Sequence, residues 1–440
     1  MTSPETQPRP LRRYLIIWIG QVASLLGSRM TQFALTIWLW QQTEQATPIT
    51  LLAFASEVSL LVVTPFAGIW VDSWNRKRIM MLGDAVAAIA SVAILVLLLT
   101  RQLAIWHLYP ILAIASVFGY LQGLAFSASQ AMLVPKQQYV RIGALGSIKT
   151  FGAGVIAPAL AGLLYPLIGL SGILGVDLVS FGVAISTLSL VAIPQPKQPK
   201  PSDSALPKSF WHEVLVGFRY LWLRPGLLAL QLFTMAYVFF DSASAVVGPM
   251  ILARSGNDTA LLGSVSAAVG LGGLIGGVLL GLWGGPMRRL HGLLVGRGLV
   301  FGFEAFLGLA KLPSVWIGAN FLAGLFKPLA NSCENAIWLS KVDPHLQGRV
   351  FSASSFLIGL TSPLGLLMAG PLADRVFEPA LQPDGILANW LGGIFGTGTG
   401  SGMALQFTLC SLIVVAICFS SYGFAPLRDI ETVLPDHQEG

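Results

Sequence analysis

Charge is what this 440-residue chain has least of: Asp, Glu, Lys and Arg together make up 10% of it, against 54% hydrophobic residues. A soluble domain carries about 25% charged residues, because a water-facing surface needs ionic groups. A chain with less than half of that must face something apolar, and the mean hydropathy of +0.73 agrees. Cysteine is nearly absent as well. Cys333, Cys410 and Cys418 all stand in apolar stretches and make no framework for a disulfide-stapled secreted fold, so they are expected to be small core residues. With five His and three Cys, no metal-ligand spacing and no nucleophile elbow is found, and neither a cofactor nor a metal is expected. The stretch Gly143-Ala-Leu-Gly-Ser-Ile-Lys149-Thr150 fails as a phosphate-binding loop, since Ile148 stands where Gly is required and no strand precedes it. What is abundant, 24 Phe, 12 Trp and a high aliphatic content, excludes disorder. The chain reads as an all-α integral membrane protein.

About 20 apolar residues carry a helix across the hydrocarbon core. Roughly twelve such stretches can be laid out, near residues 14–41, 49–71, 78–100, 104–126, 139–165 and 171–193, and then near 226–252, 259–283, 290–310, 313–339, 350–375 and 402–424. The polar start, Met1 to Arg13, precedes an apolar stretch too long for a signal-peptide core and reads as the approach to a retained first helix. Basic residues set the orientation. Nineteen of the 26 Lys and Arg, Arg297 among them, fall in segments on the side of the N-terminus, which places both termini in the cytoplasm of a bacterial plasma membrane. Their scatter over short loops, despite the net charge of +6, argues against a nucleic-acid partner.

Between the sixth and seventh stretches lies Pro194-Gln-Pro-Lys-Gln-Pro-Lys-Pro201, a stiff linker, followed by amphipathic Phe210 to Leu223. There Trp211, Leu215 and Phe218 oppose His212, Glu213 and Arg219. The segment is expected either to lie flat on the cytoplasmic interface or to form the end of the seventh helix. The expected organisation is a six-helix bundle over 1–194, a cytoplasmic linker over 195–225 and a second six-helix bundle over 226–440. A repeat supports it: Gly68-Ile-Trp-Val-Asp72-Ser-Trp-Asn-Arg76-Lys77-Arg78 recurs in degraded form as Gly281-Leu-Trp-Gly-Gly285-Pro-Met-Arg288-Arg289. Transporters built of repeated halves bind their cargo near the midplane, between the halves.

The stretch Gly68 to Arg78 resembles the signature loop between the second and third helices of the major facilitator superfamily, with Gly68, Asp72, Arg76 and Lys77 matching and Ser73 replacing the usual Arg. Further similarity points to the branch of macrolide and siderophore exporters: Ala125 to Pro135, the kinked Gly154-Val-Ile-Ala-Pro158-Ala-Leu-Ala-Gly162, Gly348-Arg349-Val350 and Gly370-Pro-Leu-Ala-Asp374-Arg375. The resemblance implies that Gly68, Asp72, Arg76 and Lys77 form a conformational latch, in which Asp72 meets a helix N-terminus of the other bundle and the basic run anchors the loop to anionic headgroups. Asp84, which also matches the branch, joins that set. The sequence departs from drug antiporters at Gly119-Tyr-Leu-Gln122-Gly123, where the usual fourth-helix arginine is missing.

Ionisable groups in hydrocarbon cost a few kcal/mol at least and are functional candidates by default. At about 1.5 Å per residue, Arg29, Glu57 and Asp241 come out at one depth slightly outside the midplane, and these are the proton-coupling candidates. Lys149, Lys327 and Glu334 come out nearer the cytoplasm, with Lys327 and Glu334 on one face of their helix. Asp177 and Glu304 fall on helices that the resemblance puts at the periphery of each bundle, and are expected to be structural. The resemblance assigns the cavity walls to the first, fourth, seventh and tenth helices, which nominates Tyr120, Gln122, Tyr237, Lys327 and Asn331, with Phe239, Phe240 and Asn320, to line a site for a large, partly aromatic cargo. The repeated Gly-x-x-x-Gly in Gly270 to Gly285 signals tight helix packing.

The expected function is secondary active transport: proton-coupled export of an amphipathic organic compound, such as a drug or a macrolide-like or siderophore-like natural product, by a monomer whose partners are its cargo, protons and membrane lipids. The alternatives are a lysophospholipid or other lipid transporter, an importer of a small metabolite and a non-transporting receptor. No enzymatic activity is expected.

Overall fold

In a computed structural model, residues 9–191, 193 and 210–433 are described, and every regular element among them is helical. The linker Pro194 to Pro201 and both chain ends lie outside the described residues. The helices are α1 (Arg9–Thr43), α2 (Thr47–Ser73), α3 (Arg76–Leu99), α4 (Ile105–Leu133), α5 (Tyr139–Leu190), α6 (Phe210–Trp222), α7 (Pro225–Ala243), α8 (Val247–Arg254), α9 (Thr259–Trp283), α10 (Arg289–Leu309), α11 (Pro313–Lys341) and α12 (Gln347–Leu372). A π-helical turn, Ala373–Phe377, continues α12 into α13 (Glu378–Leu381), and α14 (Ala388–Phe395), α15 (Ser401–Ser421), α16 (Ala425–Arg428) and α17 (Ile430–Val433) follow.

Among the described residues, nine helical segments are long and apolar enough to cross a membrane, where the sequence suggested about twelve. The difference has three sources. Helix α5 is two helices that meet at a kink at Gly169, whose φ of 63° only glycine adopts readily, and with no loop between them two expected spans count as one. Helix α1, with its Gln, Ser and Arg29, and helix α11, with Lys327 and Glu334, have the length but are too polar. The expected seventh span counts among the nine, Pro225–Arg254, although its helix breaks between the end of α7 at Ala243 and the start of α8 at Val247.

The helices gather into two compact units, one of Met1–Trp38 and Val58–Ser202, the other of Leu39–Glu57 and Asp203–Gly440. The turn joining α1 to α2 therefore groups with the C-terminal unit, whereas the sequence placed all of 1–194 in one bundle. In the first unit a core of Tyr14, Ile17, Met80, Leu121, Ala125 and Phe126 is sealed from the surroundings, while Leu163, Val179 and Leu190 point outward, as lipid-facing residues do. Lipid tails are as apolar as leucine, so helix association needs close backbone approach and polar contacts. The glycines of α9 supply the first: a Cβ on Gly272 or Gly276 would collide with the carbonyl oxygens of Phe321 or Leu325 on α11, and one on Gly324 with that of Val269.

Helix α6 ends at Trp222, before α7 begins at Pro225, and docks on α12: a Cβ on Gly217 would collide with the Arg349 carbonyl, and Phe218 meets Phe356 edge-on at 6.5 Å. Trp211, His212 and Glu213 lie outside the residues with described side chains. The phosphate-loop look-alike Gly143–Thr150 lies within α5. The three cysteines are free, Cys333 and Cys418 buried and Cys410 partly so.

Candidate functional site

The C-terminal unit carries a ladder of opposite charges between α10 and α11. Arg297 and Glu304 are seven residues apart on α10, and Lys327 and Glu334 are seven apart on α11, so each pair lies along one helical face. The helices run antiparallel, which brings Arg297 to Glu334 at 2.8 Å and Glu304 to Lys327 at 3.2 Å. Arg297 Nη2 donates also to Tyr237 Oη and Asn331 Oδ1, both at 3.0 Å, and its guanidinium sits 4.0 Å from the centre of the Tyr237 ring. Glu334 accepts in addition from the hydroxyls of Thr234 at 2.7 Å and Tyr237 at 3.1 Å, both on α7. Three helices thus meet through one network of charged and polar groups. In hydrocarbon such groups are stable only when paired.

One expectation is corrected here. Arg297 is not a topogenic loop residue, since it is buried in the middle of α10, with all four residues on either side of it along the chain apolar or glycine. Glu304, expected to be structural, is buried and paired with Lys327 in the charge ladder. Asp241 lies on the last turn of α7, exposed, and acts electrostatically on both Glu304 and Lys327. Helix α7 breaks three residues later. The carbonyl of Asp241 accepts from the Ser244 hydroxyl at 2.7 Å, and the carbonyl of Ala243 from Gln406 Nε2 at 2.9 Å, so side chains satisfy backbone groups that the break sets free.

In the N-terminal unit the polar centre is Asp84, fully buried on α3. Its carboxylate accepts from Ser24 at 2.9 Å, Gln21 at 3.3 Å and Gln122 at 2.8 Å, which joins α1, α3 and α4. Lys149 on α5 is an opposite charge that acts on it, with its ammonium 4.7 Å from the Phe126 ring centre. Gln122 also donates to Gln21 at 3.1 Å and packs over Gly83, so its amide is engaged inside the unit. A second buried acid, Asp177, accepts from Thr31 and Ser91, both at 2.9 Å. Gln21, Ser24 and Thr31 were missed in the sequence. Their positions along α1, three and seven residues apart, were the available signal.

The other candidates are dispersed. Asp72 is exposed and lies 3.9 Å from Arg76. Arg76 donates to the Ala128 carbonyl at 2.8 Å, and Lys77 to the carbonyls of Ser189 and Val191 at 3.2 and 2.8 Å, so the basic run holds the C-terminal ends of α4 and α5, where a cation is favoured. Asp84 shares no hydrogen bond with this loop. Arg289, the repeat counterpart of Arg76, likewise donates to a carbonyl near the end of α11, that of Ala336 at 3.5 Å. Gly68 has open space around it. Glu57 is half-buried and makes no hydrogen bond or ion pair among the described residues; Arg29 is exposed and Tyr120 half-buried, packed against the N-terminal core. Asn320 donates to the Val265 carbonyl at 2.7 Å, and Phe239 and Phe240 meet edge-on at 5.3 Å.

The family model of the Major Facilitator Superfamily matches residues 17–366. The chain belongs to that superfamily. It is 27% identical over 373 residues to macrolide efflux protein A of Streptococcus pyogenes, covering 83% of this chain and 90% of that protein. To the multidrug efflux pump Tap of Mycolicibacterium fortuitum it is 24% identical over 369 residues, covering 82% and 89%. Among solved structures it is similar to a bacterial homologue of the human lysosomal transporter Spinster, with a TM-score of 0.70 at 15% identity over 97% of this chain and 98% of that one. A bacterial homologue of the iron transporter ferroportin gives 0.65, also at 15% identity. The chain is thus a multi-pass membrane transporter of this superfamily, with relatives that work in efflux.

Proposed function

We propose that this transporter is a proton-coupled exporter of an amphipathic organic compound in the bacterial plasma membrane, crossing it twelve times with both termini cytoplasmic. The efflux proteins among its relatives support export of a drug-like or macrolide-like cargo. The observation that carries coupling is the charge ladder of α10 and α11 beside Asp241. An ion pair in hydrocarbon is stable only as a pair, so a proton arriving on one carboxylate frees its cationic partner and changes which groups can stay dry. Asp241, exposed at the α7 break, hands protons to that ladder; Glu57, with no partner among the described residues, and Arg29 serve the same exchange. Tyr120, Tyr237, Asn331 and Lys327 face the cargo, Gln122 acts through Asp84, and the loop of Gly68, Asp72, Arg76 and Lys77 latches one state.

The test uses proteoliposomes with ethidium and erythromycin as probes. Asp241→Asn and Glu57→Gln should abolish accumulation driven by a pH gradient while counterflow without a gradient persists. Gradient-driven uptake that survives in both variants, and in the double variant, refutes these residues as carriers.

A further inference from the structure

The π-helical turn Ala373–Phe377 presents Asp374 to the start of α2. Its Oδ1 accepts from the backbone N–H of Ala46 at 2.9 Å, and its Oδ2 from the N–H of Thr47 at 2.8 Å and from the Thr47 hydroxyl at 2.5 Å. One turn earlier the Gly370 N–H donates to Thr50 Oγ1 at 3.1 Å, and the backbones approach so closely that a Cβ on Gly370 would collide with Thr47 Cα. Trp40 Nε1 adds a bond to Asn257 Oδ1 at 2.9 Å. These contacts hold Leu39–Glu57 in the C-terminal unit, although α1 before Leu39 and α2 after Glu57 run in the other unit. Glu378, four residues on from Asp374, shows what an ordinary cap looks like: it accepts from Gly400 and Met403 at the start of α15, close in sequence.

We propose that Asp374 is a gating residue of the transport cycle, its carboxylate clasping the N-terminus of α2 in the state seen here and releasing it in the alternate one. Transporters with repeated halves work by movement of one half against the other. Both helices of the hairpin lead from one unit into the other, so that movement loads the hairpin, and its attachment must hold in one state and yield in the other. A carboxylate on three donors suits this. It is strong where water is excluded, and once exposed it exchanges those donors for water at little cost, whereas a packed apolar contact would not. The π turn aims the carboxylate and is a distortion often found at functional positions. Gly370 serves as the flat surface on which the start of α2 comes to rest. The inference depends on neither the cargo nor the coupling ion.

The experiment measures spin-label distances in lipid nanodiscs, between labels at Gln102→Cys in the first unit and Leu312→Cys in the second, with the native cysteines changed to alanine. Asp374→Asn keeps the shape but loses the charge and turns one donor against another. It should raise the population of a second distance at least about tenfold relative to the chain with Asp374. Thr47→Val, which removes only the hydroxyl bond, should shift the same populations the same way by less. If Asp374→Asn elutes as a folded monodisperse protein and its distance distribution matches the parent, the clasp is a static cap and the proposal falls. If Asp374→Asn does not fold, Thr47→Val decides, and an unchanged distribution there overturns the proposal equally.

Discussion

Arg297→Met tests whether the Arg297–Glu334 contact is a coupled unit. The substitution preserves much of the length of the side chain but removes three hydrogen bonds and a cation over the Tyr237 ring. Breaking a buried pair from one side typically costs about 3–5 kcal/mol, because the remaining charge has lost its partner. Here Glu334 keeps the hydroxyls of Thr234 and Tyr237, so the expected loss lies near the lower end, about 3 kcal/mol. Glu334→Leu should cost about the same, since Arg297 keeps Tyr237 and Asn331 and loses the carboxylate paired with it at 2.8 Å. The double variant Arg297→Met/Glu334→Leu leaves no orphaned charge and should lie within about 1 kcal/mol of the parent. Stability is followed by detergent-induced unfolding with circular dichroism, and in parallel by a thiol-reactive dye, because Cys333 and Cys418 are buried and report on opening of this core. A double variant as unstable as the sum of the two single ones would refute the reasoning, since it would show that the two side chains stabilise the fold independently.

Three further outcomes are expected. Gly276→Ala should lower the melting temperature clearly, whereas Gly277→Ala, with nothing within 4 Å of its Cβ position, should be neutral or slightly stabilising; equal effects would remove the α9–α11 backbone contact as a determinant of stability. Asp72→Asn should leave thermal stability within about 0.5 kcal/mol, because the Asp72 side chain is exposed and its pair with Arg76 is long, yet reduce transport of ethidium strongly; unaltered flux would leave the loop no role beyond topology. Cysteines placed at Ser202 and Gln438 should resist an impermeant thiol reagent in intact cells while one at exposed Gln45 reacts, and labelling of Ser202 from outside would reverse the orientation derived from the basic residues.

Composition determined that this is a membrane protein, because so little charge cannot cover a water-facing surface, and apolar stretches of about 20 residues determined that it is helical. The loop from Gly68 to Arg78 determined the superfamily, since its residues are local, contiguous and legible without a fold. Periodicity also placed Lys327 and Glu334 on one face of α11. It could not say what they face. Their partners sit on α10, and only the register of two antiparallel helices makes a spacing of seven on one meet a spacing of seven on the other with opposite signs. Arg297 was read as a boundary charge for the same reason: a lone cation in an apolar stretch looks like a loop until a carboxylate is seen to hold it at depth. The carboxylates of Asp84 and Asp374 carry the same lesson at longer range. The donors of Asp84 come from 38 to 63 residues away and those of Asp374 from more than 300, distances over which a sequence holds no geometric information and only packed helices create it.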